Sequence, residues 1–270
     1  MKILLNKNDL NEALYKASNL GFVPTMGSLH MGHISLIKRS LKLCDKTIVS
    51  IFINPTQFNN KRDYKKYPRN YQKDLSILKR LKVNYLFMPK VNSIYDEIKK
   101  PKIKLNQKDK ILCAKFRKGH FEGVIDVMDR LTDKIKPNKI FMGRKDFQQL
   151  YLVKKYLKKK YNTKIISCKT IRNSNNLALS SRNILLKKDQ LILAGKLASD
   201  IISFKKRMFK KKIKKNILDI KKSELIQKYK VKIEYFELRN LMDLKNSSKI
   251  SNSNFFISYF INNVRLIDNF

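Results

Sequence analysis

The chain has 270 residues, of which 43% are hydrophobic and 10% aromatic, so it can bury a sizeable core in one large domain or two smaller ones. Its 61 Lys and Arg residues outnumber 21 Asp and Glu residues and give a formal net charge of +40. This composition excludes an acidic or weakly hydrophobic disordered chain, and only seven Gly and six Pro exclude collagen-like and linker-rich proteins.

The positive charge suggests nucleic-acid binding, because cations that neutralise phosphates release counterions. We discount this interpretation, since most of the cations are Lys, scattered from end to end among many Asn and Ile residues. Proteins that read nucleic acids favour clustered Arg, which makes bidentate contacts. The pattern is typical of drift toward A/T-rich codons, so we expect no specific nucleic-acid partner.

The sequence also predicts a cytoplasmic protein without a membrane partner. Cys44, Cys113 and Cys168 are widely spaced and fit neither a disulfide framework nor a zinc site. Only a run of three apolar residues, Ile3-Leu4-Leu5, precedes Asn6, which is too short for the core of a signal peptide. The uncharged stretch over residues 250–264 is rich in Ser and Asn and too short to span a membrane.

Short apolar runs alternate with amphipathic stretches of helical period along the first two thirds of the chain. The predicted strands are residues 20–24, 47–53, 83–88, 139–142 and 164–171, and the predicted helices are residues 33–44, 71–81 and 146–159. This alternation is typical of βαβ units and predicts an α/β fold with a mostly parallel sheet in a first domain, residues 1–176.

The pattern changes in the last third of the chain. A long Lys-rich helix is predicted over residues 187–215, followed by strands over residues 232–238 and 255–261. We therefore predict a second, smaller α+β domain over residues 177–270.

Two of the three histidines lie in one turn, between the first predicted strand and the first predicted helix. Open α/β sheets bind ligands at such junctions, where the N–H groups of a helix N-terminus attract phosphate. His30 and His33 are three residues apart, so they share one helix face and can both donate to phosphate oxygens. The sequence has no H-E-x-x-H pattern, Walker A loop or G-x-G-x-x-G, so we predict a phosphate site of another type.

Three further segments carry polar residues that suit a nucleotide or a small acid. Asn54 and Gln57 are amides beside apolar side chains, which suits a small polar acid, although an ordinary β-turn explains the segment as well. Lys145 follows a predicted strand and can meet phosphate, and Asp146 is placed to cap the next helix. Residues 177–183 offer two hydroxyls and the fork-shaped cation of Arg182, the parts of a triphosphate clamp.

Together these segments resemble the pantoate–β-alanine ligase (pantothenate synthetase) family. The blocks V-P-T-M-G-x-L-H-x-G-H, F-x-N-P-x-Q-F, G-x-K-D-x-Q-Q and L-A-L-S-S-R-N stand in the family's order and spacing. Matching residues at 67–69, 119–124 and 265–269 extend the resemblance over essentially the whole chain. It implies a Rossmann-like sheet with an H-x-G-H nucleotide motif, which binds nucleotide and pantoate, and a C-terminal lid domain.

The resemblance also implies the reaction. ATP converts (R)-pantoate to pantoyl adenylate with release of pyrophosphate, and the amine of β-alanine then displaces AMP to give pantothenate. The expected cofactor is Mg²⁺ with ATP as substrate, no fixed protein metal site is expected, and the family is usually a homodimer. Another adenylate-forming or nucleotidyl-transferring enzyme of the same superfamily, and a nucleic-acid-binding protein with a degenerate enzyme fold, are the alternatives.

By the residue-by-residue match, the resemblance implies His30, His33 and Lys145 as catalytic residues, with His33 as proton donor. Gln57 and Gln149 are expected to bind pantoate, Gln57 also to meet β-alanine, and Asn54 to contact substrate. The expected ATP-binding residues are Met26, Gly27, Ser28, Leu29, His30, Met31, Gly32, His33, Gly143, Arg144, Lys145, Asp146, Ile171, Leu179, Ser180, Ser181 and Arg182.

The chain departs from the family pattern at three places. Arg144 stands where an acid or Gln is usual, Asn175-Asn176 replaces Asp-Gly, and Cys113-Ala114 replaces Glu-Gly. The second change removes a glycine from a tight turn, so that turn is expected to loosen.

Overall fold

The computed structural model describes residues 1–95, 103–209 and 211–270. Contacts divide the chain into two compact units, Met1–Lys169 and Thr170–Phe270. Each unit contains a hydrophobic cluster of its own. Within the described residues, no helix is long and apolar enough to cross a membrane.

The first unit is built on a six-stranded parallel sheet with the strand order β1-β4-β3-β2-β5-β6. Its strands are β1 (Lys2–Leu4), β2 (Leu20–Thr25), β3 (Lys46–Ile51), β4 (Tyr85–Phe87), β5 (Lys139–Gly143) and β6 (Lys164–Cys168). Its α-helices are α1 (Lys7–Leu14), α2 (Met31–Leu43), α3 (Lys61–Lys66), α4 (Tyr71–Arg80), α5 (Val91–Ile94), α6 (Cys113–Phe116), α7 (His120–Ile135) and α8 (Phe147–Leu157). The predicted α/β fold with a parallel sheet is therefore confirmed.

The strand order places three of the predicted segments at one edge of the sheet. β2 lies between β3 and β5, and the chain crosses from β4 on one side of β2 to β5 on the other. This is a topological switch point, the position at which open α/β sheets bind their ligands. The turns that follow β2, β3 and β5 carry the histidines, Gln57 and Lys145, respectively.

Helix α7 was not predicted, although its sequence carries a helical signal. Phe121, Val124, Met128, Leu131 and Ile135 are spaced by three or four residues and are all buried. The helix packs against the turn after β3, where a Cβ added at Gly123 would lie 2.5 Å from the main-chain oxygen of Thr56. Because only a glycine permits this approach, the backbone of α7 fixes that turn directly.

The second unit combines two long helices with an antiparallel sheet, β7-β8-β9. Its elements are α9 (Lys188–Met208), α10 (Lys215–Tyr229), β7 (Lys232–Asn240), β8 (Ser253–Ile261) and β9 (Val264–Asn269). Its core gathers apolar side chains from all of these elements, including Leu197, Leu225 and Phe255. The predicted α+β character of the C-terminal part is confirmed.

Two predicted elements run three or more residues past the C-terminal end of the observed element. The helix predicted over 187–215 ends at Met208 because Ile213 leaves the helical path, is buried in the core and donates its N–H to Ser248 O at 2.8 Å. Lys210, which falls within that prediction, lies outside the described residues. The strand predicted to reach residue 171 ends at Cys168, because Ile171 O instead accepts the N–H of Leu179 at 2.9 Å.

Candidate active site

The turn between β2 and α2 contains two residues with left-handed backbone. Gly27 has φ +79° and Ser28 has φ 51°. The N–H of Gly27 donates to Thr25 Oγ1 at 3.1 Å, and that hydroxyl donates in turn to Ser50 O at 2.7 Å on β3. The start of the turn, at Gly27, is thus connected through the Thr25 hydroxyl to the neighbouring strand β3.

A buried carboxylate on α4 holds the middle of the same turn. Asp74 is 1% exposed, and its two oxygens accept the N–H groups of Ser28 at 2.8 Å and Leu29 at 2.7 Å. Burial raises the pKa of Asp74, and the two backbone hydrogen bonds oppose that effect. Leu29 is itself buried in the hydrophobic core, so side chain and main chain both anchor the turn.

The two histidines cap the N-terminus of α2. His30 Nδ1 accepts the N–H of Gly32 at 3.1 Å, and His33 Nδ1 accepts the N–H of His30 at 3.4 Å. The ring centroids lie 4.1 Å apart at an interplanar angle of 39°. This is the reciprocal arrangement of a capping box, made here by two imidazoles.

The caps determine the protonation of both rings. A ring nitrogen that accepts an N–H bond carries no proton, so each neutral imidazole must hold its proton on Nε2. Burial, followed by the positive charge of Lys145, lowers the pKa of His30 to about 4. Burial, followed by His30 and Lys145, lowers the pKa of His33 to about 3. Near neutral pH each ring is therefore an uncharged donor at Nε2.

These contacts bear on phosphate recognition at the turn. The sequence suggests that the N–H groups at the helix N-terminus meet phosphate, and this stays a prediction. The N–H groups of Gly27, Ser28, Leu29, His30 and Gly32 are bound within the protein. The two Nε2–H groups of the histidines are side-chain donors at the same helix N-terminus.

Lys145 lies in a short 3-10 helix, Arg144–Asp146, directly after β5. Its Nζ is 3.3 Å from Asp146 Oδ1, and its charge reaches both histidines, since it lowers both of their pKa values. Asp146 stands at the N-cap position of α8 as predicted but makes no side-chain cap hydrogen bond. Arg144 Nε donates to Ser167 Oγ at 2.7 Å, a contact at the surface between β5 and β6.

Asn54 and Gln57 lie in the turn after β3, and both are buried. Asn54 Nδ2 donates to Gly123 O at 3.1 Å and to Gln57 Oε1 at 3.3 Å. Asn54 Oδ1 accepts from Thr56 and from the hydroxyl of Tyr95. The amide of Asn54 is therefore fully engaged within the protein, and its substrate contact remains a prediction.

Gln57 connects this turn with the histidine turn. Its Nε2 points to Met26 Sδ at 2.9 Å. Its main-chain oxygen lies 2.8 Å from Nδ1 of His120 at the start of α7. His120 Nε2 faces Arg117 Nη1 at 2.9 Å and so acts as the acceptor, which places the proton of His120 on Nδ1.

The two glutamines at the start of α8 differ in their surroundings. Gln148 is buried. Its Oε1 accepts the N–H of Cys113 at 3.0 Å, and its Nε2 donates to Ile111 O at 2.7 Å. Gln149 is half-buried and, within the described part of the chain, makes no side-chain hydrogen bond. Of the pair, Gln149 is the one whose amide remains available, as its predicted role requires.

The predicted ATP residues of the second unit form one hairpin. Ile171 and Leu179 are joined by a main-chain hydrogen bond, and Ser180 caps the short helix Ser181–Leu185 by accepting the N–H of Arg182 at 3.3 Å. Asn176, in place of the family's glycine, has φ 65°. Asn tolerates this left-handed conformation better than most residues other than Gly, so the conformation is compatible with the residue present.

The structure thus brings the segments 26–33, 54–57 and 143–149 to one edge of the parallel sheet, and places 171 and 179–182 in the second unit. Sequence reasoning missed Asp74, and gave Tyr95 no role. Asp74 lies on a correctly predicted helix, but only its contact with a turn 45 residues away in the sequence shows that it supports the site. Among the described residues, no group of three or more His, Cys, Asp or Glu side chains could hold a metal ion.

The profile of the family described as pantoate-beta-alanine ligase matches residues 2–270. The chain belongs to the pantoate–β-alanine ligase family. It is 38% identical over 269 residues to the pantothenate synthetase of Flavobacterium psychrophilum, covering 97% of this chain and 95% of that protein. The predicted family and enzyme class are confirmed.

Solved structures of the family match both units of this ligase. Pantothenate synthetase from Thermus thermophilus superposes with a TM-score of 0.93 at 28% identity, covering 100% of this chain and 99% of that one. The pantoate-beta-alanine ligase of Francisella tularensis, solved with beta-gamma ATP and beta-alanine, gives a TM-score of 0.83 at 37% identity, covering 100% and 97%.

We expect both capping histidines of this ligase to stay neutral well below pH 6.5, because protonation of Nδ1 would remove the acceptor for a backbone N–H. With folded pKa values of about 4 for His30 and about 3 for His33 against an ordinary 6.5, the stabilisation from the neutral rings is complete above pH 6.5 and is lost as the pH falls to about 4 for His30 and about 3 for His33. Nitrogen-15 NMR of the rings at pH 7 should show the Nε2–H form for both. Titration of either ring between pH 6 and 7 would contradict the capping geometry.

Asp74→Asn tests whether the carboxylate holds the histidine turn. The variant turns one acceptor oxygen into an NH₂ group that faces a backbone N–H. We expect the free energy of unfolding to fall by about 1–3 kcal/mol, and the affinity for ATP to fall at least about tenfold, a difference of about 1.4 kcal/mol. Denaturant unfolding and calorimetric titration with ATP measure the two effects.

The matched control is Asp133→Asn, which alters an exposed carboxylate on α7. It should leave both quantities unchanged. Equal ATP affinities for Asp74→Asn and the control would mean that Asp74 does not position the turn.

Proposed function

We propose that this chain condenses pantoate with β-alanine in two steps at the expense of ATP. A carboxylate oxygen of pantoate attacks the α-phosphorus of ATP, the bond to the bridging oxygen breaks, and its electron pair leaves with pyrophosphate. The amine of β-alanine then attacks the acyl carbon, AMP leaves with the electron pair of the C–O bond, and the amine loses a proton. Membership in the family over residues 2–270 supports this reaction.

The first step accumulates negative charge on the phosphate oxygens, and the histidine turn supplies donors for it. His30 and His33 present Nε2–H groups whose direction is fixed by the caps at Nδ1. Donors that are held in place before the reaction stabilise developing charge without reorganisation. We assign to both rings the role of neutral hydrogen-bond donors. Because a pKa of about 3 leaves His33 uncharged near neutral pH, the ring has no imidazolium proton to give and acts by hydrogen bonding rather than as an acid.

Lys145 supplies the positive charge that the neutral histidines lack. Its ammonium group is near enough to both rings to lower their pKa values, and it follows the strand next to β2. A mobile Lys is suited to follow charge as it moves from the α-phosphate to the leaving pyrophosphate. Gly143, which precedes it, leaves open space where a Cβ would lie, with nothing within 4 Å.

The amides of Gln57 and Gln149 are proposed to bind pantoate. Gln57 offers the Nε2 end of its amide, which donates, and it does so beside Met26 in the histidine turn. Gln149 offers an amide that is not used within the described part of the protein. Both residues lie on elements that pack against α7, so one helix supports both sides of acid recognition.

ATP is proposed to bring Mg²⁺ with it as part of the substrate. The family resemblance also supports Ile171, Leu179, Ser180, Ser181 and Arg182 as ATP ligands, a homodimer and a cytoplasmic location. Magnesium titration of the reaction and the mass of the protein in solution, against 31.9 kDa for one chain, test the metal and the dimer.

The observation that carries the proposal is the pair of capped histidines at the switch point of the sheet, with Lys145 beside them. The test is an assay of AMP release and of exchange between ATP and pyrophosphate. We expect AMP release to require both pantoate and β-alanine, and pantoate alone to support exchange. Exchange without pantoate, or equal exchange with an unrelated amino acid, would refute the proposal.

Lys145→Ala tests whether Lys145 contributes to the reaction through its place in the site or is only one of the many cations of this very basic chain. A preorganised group that stabilises a transition state typically contributes about 10²–10³ in rate. We expect the variant to lower pantoate-dependent exchange at least about a hundredfold. Lys159→Ala, which removes an exposed cation just after α8, is the control and should leave the rate nearly unchanged. Similar small effects for both variants would remove Lys145 from the catalytic site.

A further inference from the structure

A buried hydrogen-bond network formed by Asn54, Thr56 and Tyr95 lies beside Gln57, and neither the family motifs nor the sequence patterns assign a role to Thr56 or Tyr95. Tyr95, at the end of α5, and Asn54 are each 1% exposed. The hydroxyl of Tyr95 donates to Asn54 Oδ1 at 2.8 Å and lies 3.2 Å from Thr56 Oγ1. Thr56 Oγ1 also donates to Asn54 Oδ1, at 3.0 Å.

The partners of Asn54 allow its amide only one orientation. Its oxygen faces the two hydroxyl donors, and its nitrogen faces the main-chain oxygen of Gly123, which can only accept. Rotating the amide by half a turn would leave both hydroxyls without their acceptor and would set oxygen against oxygen at Gly123. An unpaired buried polar group is costly, so the network fixes which end of Asn54 reaches Gln57.

The orientation of Asn54 determines the orientation of Gln57. Asn54 Nδ2 donates to Gln57 Oε1, so the oxygen of Gln57 turns back into the protein. The Nε2 end is therefore the one that points to Met26 and the histidine turn. A glutamine held in this way offers N–H donors and recognises oxygen acceptors, such as the hydroxyl or carboxylate oxygens of a small hydroxy acid.

The ring of Tyr95 is itself held in place by Arg130. The guanidinium carbon of Arg130 lies 4.8 Å from the centre of its ring, and Arg130 is itself held by Asp126 at 3.1 Å and by Ile94 O at 3.3 Å. Burial raises the pKa of Tyr95 to about 12, so its hydroxyl keeps the proton that it donates to Asn54.

We propose that Tyr95 is a positioning residue for acid recognition: through Asn54 it holds Gln57 with its amide nitrogen directed to the oxygen acceptors of the acid substrate. The inference rests on the proposed function, because Gln57 is taken there as a ligand of pantoate. Tyr95 itself touches no substrate in this scheme.

Tyr95→Phe removes the hydroxyl and keeps the ring over Arg130. We expect the KM for pantoate in the exchange reaction to rise about tenfold, the loss expected for one buried hydrogen bond, while the KM for ATP stays unchanged. A structural defect would instead affect both substrates. Tyr161→Phe is the matched control, because it removes a hydroxyl that donates to Asp129 Oδ1 at 2.9 Å, and it should change neither KM.

A double-mutant cycle decides whether Tyr95 acts through Gln57. In a Gln57→Ala background, Tyr95→Phe should have no further effect on the KM for pantoate, since the group it positions is gone. Equal effects of Tyr95→Phe with and without Gln57 would overturn the inference, as would an unchanged KM in the single variant. Thr56→Val, which removes the second hydroxyl donor to Asn54, should show the same dependence on Gln57 and carries the test if Tyr95→Phe fails to fold.

The wild-type protein separates the two proposals. If it exchanges pyrophosphate with pantoate and the cycle is additive, only the role of Tyr95 is wrong. If it does not use pantoate at all, the proposed function fails first, and with it the positioning role.

Discussion

Five backbone N–H groups between Gly27 and Gly32 find acceptors within the protein, and the way they do so sets the protonation of the two histidines. Asp74 takes two of them, and the two histidines take two more through Nδ1. Each histidine is thereby committed to one tautomer and to the neutral state. One set of hydrogen bonds thus folds the turn, begins α2 and aims two Nε2–H donors. The positive charge that such donors lack has to come from elsewhere, which gives Lys145, just after the neighbouring strand β5, its importance.

Acid recognition depends on a second constraint, the close packing of α7. Gly123 brings the backbone of α7 against Thr56, and its main-chain oxygen also accepts from Asn54. His120, one helical turn earlier, holds the main-chain oxygen of Gln57. The turn after β3 is therefore held by α7 as well as by hydrogen bonds among its own residues. Its amides reach their orientation before any substrate arrives, which lowers the cost of binding.

Much of this architecture follows from the sequence, because strands and helices of the parallel sheet have clear hydrophobic periods and the motif segments fall where strands end. Long-range partners do not follow from it. Asp74 resembles any first-turn acid of an amphipathic helix until its contacts with Ser28 and Leu29 are seen. Likewise, the end of α9 is set by burial of Ile213 in the core of the second unit. This is a tertiary contact that the helical period of the sequence does not predict.

At Cys113 and Asn176, two of the departures from the family pattern, the backbone makes the contact or sets the conformation. Cys113 uses its N–H to reach Gln148, which any residue but proline can do. Asn176 adopts the left-handed conformation of the glycine it replaces, and its side chain gains a hydrogen bond to Ser199 at 3.0 Å. Arg144 turns to Ser167 at the surface. Among these departures only Asn175-Asn176 follows the compositional preference for Lys, Asn and Ile. His30, His33 and Asp74 each contribute a specific side-chain atom that Lys, Asn or Ile would not replace.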